Sequence, residues 1–485
     1  MTAATAPPPV RRPLILAAVM LASFMIAIEA TIVSTAMPQI AGQLGQLHYY
    51  AWVFSSFLLA QTATTVVFGK LADLYGRRSV LLVGIGIFLL GSLLCGFARS
   101  MPALIAFRLI QGFGAGAIQP VSITVVGDLY ATHERGRMQG WLASVWGVSS
   151  VIGPLAGGLI IQHVSWAWIF WINLPIGLAA AAGFFLFLHE TVSTRERSVD
   201  AAGAVLFTIA IAAAMVALTE AGAAGGRTAL PAVAACGVAG ALFVAQERRA
   251  RDPMIAVALW TRRAIATTNA ATLFSGMAVI GLTTFLPMYV QVVMGRSPLE
   301  AGFMLTAMVL GWPIAATLGA RNFARFGLRR ILVFGALLLP AGAIPFVLLS
   351  PTASPLVAGL GSLVMGFGMG FLSNAAIVLI QDSVGWAERG AATASNLFAR
   401  NLGSTLGAAV LGAVLDASLA RGRAGSLEQV QQLLHGQGIV GAAASRAGLA
   451  QGLHQTFCGV LLIAIITLAL SVLVPRVTDA AEPGE

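Results

Sequence analysis

Long apolar stretches follow one another along this chain, and few polar residues separate them. A helix of about 20 residues crosses the ~30 Å hydrocarbon core of a bilayer, and in lipid the backbone must satisfy its own hydrogen bonds. Charged residues make up 9% of the chain, against roughly a quarter of an ordinary soluble domain. The sequence therefore predicts one all-α body embedded in a membrane.

Fourteen of these stretches are long enough to span a bilayer. They cover residues 13–37, 51–69, 80–98, 102–125, 138–161, 166–188, 201–221, 228–246, 264–287, 300–320, 331–349, 355–380, 393–415 and 453–475. The first continues to Met37 and exceeds the ~7–15 apolar residues of a secretory signal, so we expect it to stay attached as a span. An even number of spans places both termini on one side of the membrane.

Basic residues follow an alternating pattern between these spans. If the N-terminus is cytoplasmic, the inner segments hold 20 of the 28 basic residues and the outer segments hold 6, while Arg108 and Arg400 lie within spans. Such an excess is typical of cytoplasmic loops, so both termini are predicted to lie in the cytoplasm. The membrane is expected to be the cytoplasmic (inner) membrane of a bacterium. This topology explains the net charge of +10. No dense basic cluster lies on a water-facing stretch, which argues against a nucleic-acid partner.

Three motifs in the first half are distinctive: GKLADLYGRR at 69–78, LIAFRLIQGFGAG at 104–116 and GVSSVIGPLAGG at 147–158. They resemble signature motifs of the major facilitator superfamily, and the third resembles the motif of its antiporters. SWAWIFWINLPIG at 165–177 and EATIVSTAMPQI at 29–40, with the count of fourteen spans, narrow the resemblance to the fourteen-helix drug:proton antiporter branch. The resemblance covers nearly the whole chain and implies the major facilitator fold.

A second copy of the first motif supports this reading. Residues 320–330 read ARNFARFGLRR, so that Gly327 matches Gly76 and Ala324 stands where Asp73 would be. Internal repeats are typical of transporters built from two related halves. We therefore predict an N-terminal six-helix bundle over 1–190, two inserted helices with a cytoplasmic linker over 191–263, and a C-terminal six-helix bundle over 264–485.

The loop between the second and third spans combines turn-forming and charged residues. Gly69 and Gly76 allow tight turns and close packing, and Asp73 lies near the basic pair Arg77 and Arg78. The resemblance implies that these five residues form a conformational latch at the cytoplasmic face. For the two arginines alone, ordinary loop charges that follow the topology rule are the alternative.

The fifth span contains the antiporter motif, formed by Gly147, Gly153, Pro154, Gly157 and Gly158. Proline removes a backbone hydrogen bond and glycine permits close approach of helices. A helix with this surface could slide or bend against a neighbour. Plain helix packing explains the glycines equally well, and the order of the residues makes the motif specific.

Of the 18 acidic residues, the predicted topology places one, Glu29, deep within a span. An ionised carboxylate there costs at least a few kcal/mol, and such residues are normally functional. Glu29 is therefore predicted to exchange the coupling proton. The family usually has Asp in this stretch, so the longer Glu side chain changes the geometry.

Arg108 is the predicted counter-charge of Glu29, because their depths in the bilayer differ by ~5 Å at 1.5 Å per residue. The resemblance implies that the helices carrying them are neighbours that line the central cavity. The alternative is a structural arginine bonded to backbone carbonyls. In-span amides extend the predicted substrate cavity, although each amide could instead bond a neighbouring helix. The predicted cavity residues are Glu29, Gln61, Arg108, Gln111, Asn269 and Asn374.

Other kinds of site are disfavoured. Cys95, Cys236 and Cys458 lie singly in separate apolar stretches, which predicts neither a disulfide nor a metal site. The one lysine, Lys70, does not complete a GxxxxGK[ST] loop, which argues against an ATP-driven pump. An enzyme would need a cluster of polar groups at one membrane face, and the sequence shows none. A channel fits less well than alternating access, because the acid is single and the chain carries a two-half repeat.

The sequence thus predicts a monomeric antiporter that exports apolar, cationic drugs or dyes in exchange for protons. Its partners would be the small-molecule substrate, protons and the lipid bilayer, with the proton gradient as energy source and no cofactor. The alternative is an exporter of a single endogenous metabolite, such as an antibiotic or a siderophore. No motif encodes the substrate.

Overall fold

The structure, a computed structural model, describes residues 12–46, 49–130, 132–189, 200–222, 229–250, 257–384, 389–421 and 442–475. The chain folds into helices, and no β-strand occurs among these residues. In chain order the helices are α1 (Arg12–Leu44), α2 (Tyr50–Tyr75), α3 (Arg77–Gly96), α4 (Met101–Leu129), α5 (Thr132–His163), α6 (Trp168–Trp171), α7 (Asn173–Phe187), α8 (Ala201–Gly222), α9 (Ala229–Arg249), α10 (Val257–Trp260), α11 (Arg263–Met288) with a π-helical extension (Tyr289–Val293), α12 (Pro298–Phe326), α13 (Leu328–Val347), α14 (Pro355–Asp382), α15 (Arg389–Arg421) and α16 (Ala442–Leu473).

Each of the fourteen predicted spans contains a helix. Thirteen helices in the described ranges are long and apolar enough to cross a membrane. The seventh predicted span, 201–221, corresponds to α8, whose described apolar stretch, Val205–Ala214, is shorter. The protein is therefore an all-α, multi-pass membrane protein.

Helix boundaries differ from the predicted spans where helices continue past the hydrocarbon. The first helix extends to Leu44, and α16 begins at Ala442, well before the predicted residue 453. The expectation of an outer loop from residue 416 was wrong, since α15 continues to Arg421 and Asp416 lies half-buried in its span. A hydropathy boundary marks the membrane surface, whereas backbone hydrogen bonds continue into water. The stretch SLEQVQQLLH at 426–435, whose pattern is compatible with a short amphipathic helix between the last two spans, lies outside the described residues.

Local signals explain where several helices begin. Ser100 precedes α4, and its hydroxyl accepts a hydrogen bond from the Ala103 N–H. Before α12, Ser297 and Glu300 form a capping box, with Pro298 as the first helical residue. These side chains satisfy backbone N–H groups that have no partner within the helix.

The predicted repeat of the glycine-containing loops is visible in the backbone. Gly76 separates α2 from α3 with φ 87° and ψ 145°, and Gly327 separates α12 from α13 with φ 79° and ψ 149°. Positive φ is readily adopted by glycine, which lacks a Cβ. The two breaks thus have the same conformation.

The helices pack in two main groups. In the first group, α1 contacts α4, α5 and α7, while α4 contacts α2 and α3; in the second, α11 contacts α15 and α16, while α14 contacts α12 and α13. Contacts of α5 with α12, α2 with α15 and α1 with α11 join the groups. The helices α8 and α9 pack on each other, and α8 contacts α2 and α15. The exact division at residues 190 and 263 stays a prediction.

Hydrogen bonds join the two groups near the end of the molecule that is predicted to face outward. The Tyr50 hydroxyl donates to the carbonyl of Thr284 over 3.1 Å. The amide of Gln291 donates to the carbonyl of Thr35 over 2.8 Å, and the Ser34 hydroxyl donates to a carbonyl of α11. Helices α1 and α2 are therefore tied to α11 and its π-helical extension.

Candidate functional site

An ion pair between α1 and α4 forms the centre of the candidate site. Glu29 Oε1 lies 2.5 Å from Arg108 Nη1. The two residues are 0% and 3% exposed, and apolar residues of α1 and α4 surround them in sequence. The structure therefore brings together the two residues that the sequence predicts as a proton site and its counter-charge.

The second oxygen of Glu29 also has a partner. Asn173, the first residue of α7, donates from Nδ2 to Glu29 Oε2 over 2.5 Å. The same amide lies 3.5 Å from the Ser92 hydroxyl of α3. Both carboxylate oxygens are thus held, one by a cation and one by a neutral donor.

Arg108 has other partners besides Glu29. Its Nη1 donates to Gln111 Oε1 over 2.6 Å, its Nε donates to the Val53 carbonyl over 3.2 Å, and its Cζ lies 4.2 Å from the Phe57 ring centroid. Gln111 in turn donates to the Ser92 hydroxyl over 2.8 Å. Arg108 is therefore both ion-paired and bonded to a backbone carbonyl, so the two sequence interpretations are compatible.

This network has a chemical consequence. With Glu29 ionised, the Glu29–Arg108 pair is neutral and its hydrogen bonds are made. With Glu29 protonated, or with Arg108 removed, one charge or donor is left without its partner in a buried place. Removing one member of a buried ion pair typically costs ~3–5 kcal/mol. Protonation of Glu29 can therefore change which helix arrangement is stable.

Three other predicted cavity residues lie apart from this network. Asn269 donates to the Ser395 hydroxyl over 2.5 Å, and Asn374 donates to the Ala316 carbonyl over 2.9 Å, so both bond neighbouring helices. Gln61 is half-buried in α2, ~12 Å along the helix from Val53. The network thus contains Glu29, Arg108 and Gln111, but none of these three.

Two members of the network were not predicted. Asn173 stands between apolar residues of the motif at 165–177, and an amide in such a run is a detectable signal. Ser92 carries no comparable signal, because serines are common in packed membrane helices.

The α5 motif packs closely against α1. Gly153 leaves no room for a Cβ beside Thr31, and Gly157 lies against Ile32. The Thr31 hydroxyl lies 3.2 Å from the Ser149 carbonyl, to which it can donate. Thr31 follows Glu29 by two residues, so α5 directly contacts the helix that carries the acid.

The same motif packs against α12 of the second group. Pro154 fills the space beside Gly302, and Gly158 lies against Leu299. Gly147 instead faces open space. The α5 motif thus contacts one helix from each group, which is where a sliding or bending motion would have to act.

The predicted latch residues are partly described. Gly76 supplies the positive-φ break, and Arg78 Nη2 donates to the Phe185 carbonyl of α7 over 2.8 Å. Gly69 lies within α2, and no described atom is near the position that a Cβ would take, so the tight turn and close packing expected at Gly69 do not occur. Arg77 begins α3. The side chain of Asp73 lies outside the described part of the chain, so its latch contact stays a prediction.

Comparison with known proteins places the chain among transporters. The profile of the family described as Major Facilitator Superfamily matches residues 19–408. The multidrug transporter protein MdtP of Bacillus subtilis (strain 168) is 32% identical over 455 residues, covering 92% of this chain and 82% of that protein. Multidrug resistance protein 3 of the same organism is 33% identical over 398 residues, covering 81% and 78%.

Solved structures with little sequence likeness share the fold. A point mutant of the nucleoside transporter NupG has a TM-score of 0.68 at 12% identity, covering 95% of this chain and 99% of that one. A bacterial homologue of the human lysosomal transporter Spinster, in an inward-facing and occupied conformation, has a TM-score of 0.67 at 16% identity, covering 99% and 100%. At these identities the likeness concerns the fold alone.

Proposed function

The chain belongs to the major facilitator superfamily, and from this premise we propose that it is a proton-coupled antiporter that exports apolar, cationic drugs or dyes. The names of its two Bacillus subtilis relatives, a multidrug transporter and a multidrug resistance protein, support drug transport. The observation that carries the proton coupling is the buried Glu29–Arg108 pair.

Exchange follows from competition for one carboxylate. In the ionised form Glu29 binds Arg108 and Asn173, so a cationic substrate interacts with this carboxylate only by displacing Arg108. A proton that binds Glu29 removes that charge and releases the substrate. A transporter in which proton and substrate exclude each other at one group exchanges them in opposite directions.

Coupling to alternating access would run through α1 and α5. The Thr31 hydroxyl contacts the α5 backbone at Ser149, and the Thr306 hydroxyl of α12 donates to the Ser150 carbonyl over 2.5 Å. The same turn of α5 thus bonds both groups of helices. A ligand shifts a conformational equilibrium through its different affinity for the two states, and the proton does so here by changing the Glu29 contacts.

The remaining elements of the proposal concern setting and assembly. Both termini lie in the cytoplasm, as the distribution of basic residues indicates, and the membrane is the bacterial cytoplasmic membrane. The protein acts as a monomer and uses the proton gradient without a cofactor. It is a carrier and not an enzyme.

Transport in reconstituted vesicles tests the proposal. The unaltered protein should move a cationic dye against its gradient when a pH gradient is imposed, and Glu29→Gln should abolish that movement while inserting normally. Asp382→Asn is the matched control, because it removes an exposed carboxylate at the end of α14. Dye movement by Glu29→Gln at the unaltered rate would refute coupling at this acid. Transport of one compound from a broad panel would instead favour the single-metabolite exporter.

A further inference from the structure

Arg400 is a second arginine within a membrane span, and the proton site does not use it. It lies in α15, five residues after the start of the span Ser395–Ala420, about 7.5 Å from that end at 1.5 Å per residue. Its side chain is half-buried. Charged groups within membranes normally pair with one another or with carbonyls, and arginines near the end of a span can instead extend to the membrane surface.

The face of α15 that carries Arg400 is turned toward other helices. Thr393 and Leu411 share this face, because they lie close to two turns before and three turns after Arg400. Thr393 accepts a hydrogen bond from Gln381 of α14 over 2.9 Å, and Leu411 packs on Gly281 of α11. Arg400 therefore lies on the side of α15 that faces α11 and α14.

A polar cluster lies about one turn from Arg400, where α15 packs against α11. Asn396, one turn before Arg400, donates to Asn269 Oδ1 over 3.1 Å and to the Thr272 hydroxyl over 2.9 Å. Asn269 donates to Ser395, and all four residues are at most 4% exposed. We call Asn269, Thr272, Ser395 and Asn396 the Asn269 cluster. It provides a polar surface beside the guanidinium, and none of its four members carries a negative charge.

Arg400 differs from Arg108 in its partners. Arg108 has an acid, an amide, a carbonyl and an aromatic ring around it. For Arg400 the structure shows no hydrogen bond, ion pair or ring contact of the side chain over the described residues. Within that part of the chain, one membrane-embedded cation is thus left unneutralised, next to polar groups that could complete a binding site.

We propose that Arg400 binds an oxyanion, a carboxylate or a phosphate, beside the Asn269 cluster. A guanidinium presents a planar fork of donors that matches the two oxygens of such a group. Two sources share this chemistry: the phosphate of a lipid headgroup, and an acidic group of the transported compound. The inference does not depend on proton exchange at Glu29.

Binding to the purified full-length protein in detergent tests the inference. Two probes are titrated, short-chain phosphatidylglycerol and 1-naphthoate, each against its uncharged analogue, the matching diacylglycerol and 1-naphthalenemethanol. The midpoint of thermal unfolding, followed against probe concentration, reports affinity. We expect at least one anionic probe to bind at least tenfold more tightly than its analogue, and Arg400→Gln to lose that difference.

Two further variants make the result specific. Arg321→Gln removes an exposed arginine near the end of α12 and should leave probe binding unchanged. Arg400→Lys keeps the positive charge but lacks the planar pair of donors, so it should bind the anionic probe with intermediate affinity. This variant also tests the inference if Arg400→Gln does not fold.

The outcomes separate the two sources. A response to phosphatidylglycerol alone assigns the site to lipid, and a response to naphthoate alone assigns it to an acidic organic compound. Equal binding by Arg400→Gln and the unaltered protein would overturn the inference. So would anionic probes that bind no better than their uncharged analogues.

Discussion

Arg78 and Arg329 occupy matching positions in the two halves of the chain and make matching contacts. Each follows a positive-φ glycine by two residues. Arg78 donates to the carbonyl of Phe185 near the end of α7, and Arg329 donates to the carbonyls of Val474 and Val472 at the end of α16 over 2.6 and 2.8 Å.

The contacts of Arg78 and Arg329 hold each helix break in place within its own group of helices. Each arginine ties a helix break to the last helix of its own group, and cations at a helix C-terminus also interact favourably with the helix dipole. The contact of Arg78 is therefore made within one group of helices. A latch between states would need the other members of the loop, with Asp73 as the main candidate.

The first prediction concerns this tie. Arg329→Ala should lower the free energy of unfolding by about 1 kcal/mol or more, because hydrogen bonds from a charged donor contribute ~1.5–3 kcal/mol and this site is partly exposed. Thermal unfolding in detergent measures the change. Arg330→Ala removes the neighbouring exposed arginine and should have little effect. Equal losses in both variants would show that net charge, and not the carbonyl contacts, is responsible.

The second prediction concerns Asn173, which contacts the acid of the proposed proton site. Asn173→Ala removes the donor to Glu29 Oε2, and a lost hydrogen bond to a charged group costs ~1.5–3 kcal/mol. Proton-driven transport should therefore fall about tenfold or more, while insertion persists. The control is Asn322→Ala, because Asn322 is an exposed amide bonded to its own helix. Normal transport by Asn173→Ala would remove Asn173 from the mechanism.

The third prediction concerns the length of the acid. Glu29→Asp keeps the carboxylate but shortens the side chain by one carbon, which moves it by about 1.5 Å, one C–C bond length. Contacts with Arg108 and Asn173 should weaken without being lost, so transport should be partial. Proton release on addition of a cationic dye, followed with a pH indicator, measures this. Glu29→Asp should release protons whereas Glu29→Gln should not, and release by both would place the coupling proton elsewhere.

The fourth prediction compares two glycines of one motif. Gly153→Ala places a Cβ against Thr31, whereas Gly147→Ala places it in open space. Overpacking typically costs ~1–3 kcal/mol, so Gly153→Ala should lower stability and slow transport. Gly147→Ala should be neutral or slightly stabilising, because alanine favours helix over glycine by ~1 kcal/mol. Identical behaviour of the two variants would mean that the close α1–α5 contact has no role.

The sequence determines where the membrane-spanning helices lie along the chain and how deep each residue lies in the bilayer. A span must be apolar and about 20 residues long, so the helices could be located before any packing was known. Position along a helix also gives depth in the bilayer at 1.5 Å per residue. Glu29 and Arg108 could therefore be paired before the structure was known, as two opposite charges at similar depth on helices that the family resemblance implies are neighbours.

The tertiary structure decided what depth cannot: which helices are neighbours and which way each face points. Asn173 joins Glu29 because α7 begins beside α1 and α3, and Asn269 pairs with α15 because α11 packs there. Arg400 shares its span with amides and hydroxyls, but the packing of the described helices supplies it with no acid. The depth of a residue is set by the bilayer and by its position in its own helix. A contact between two residues also requires that their helices are adjacent and turned toward each other, and this is decided only when all the helices pack together.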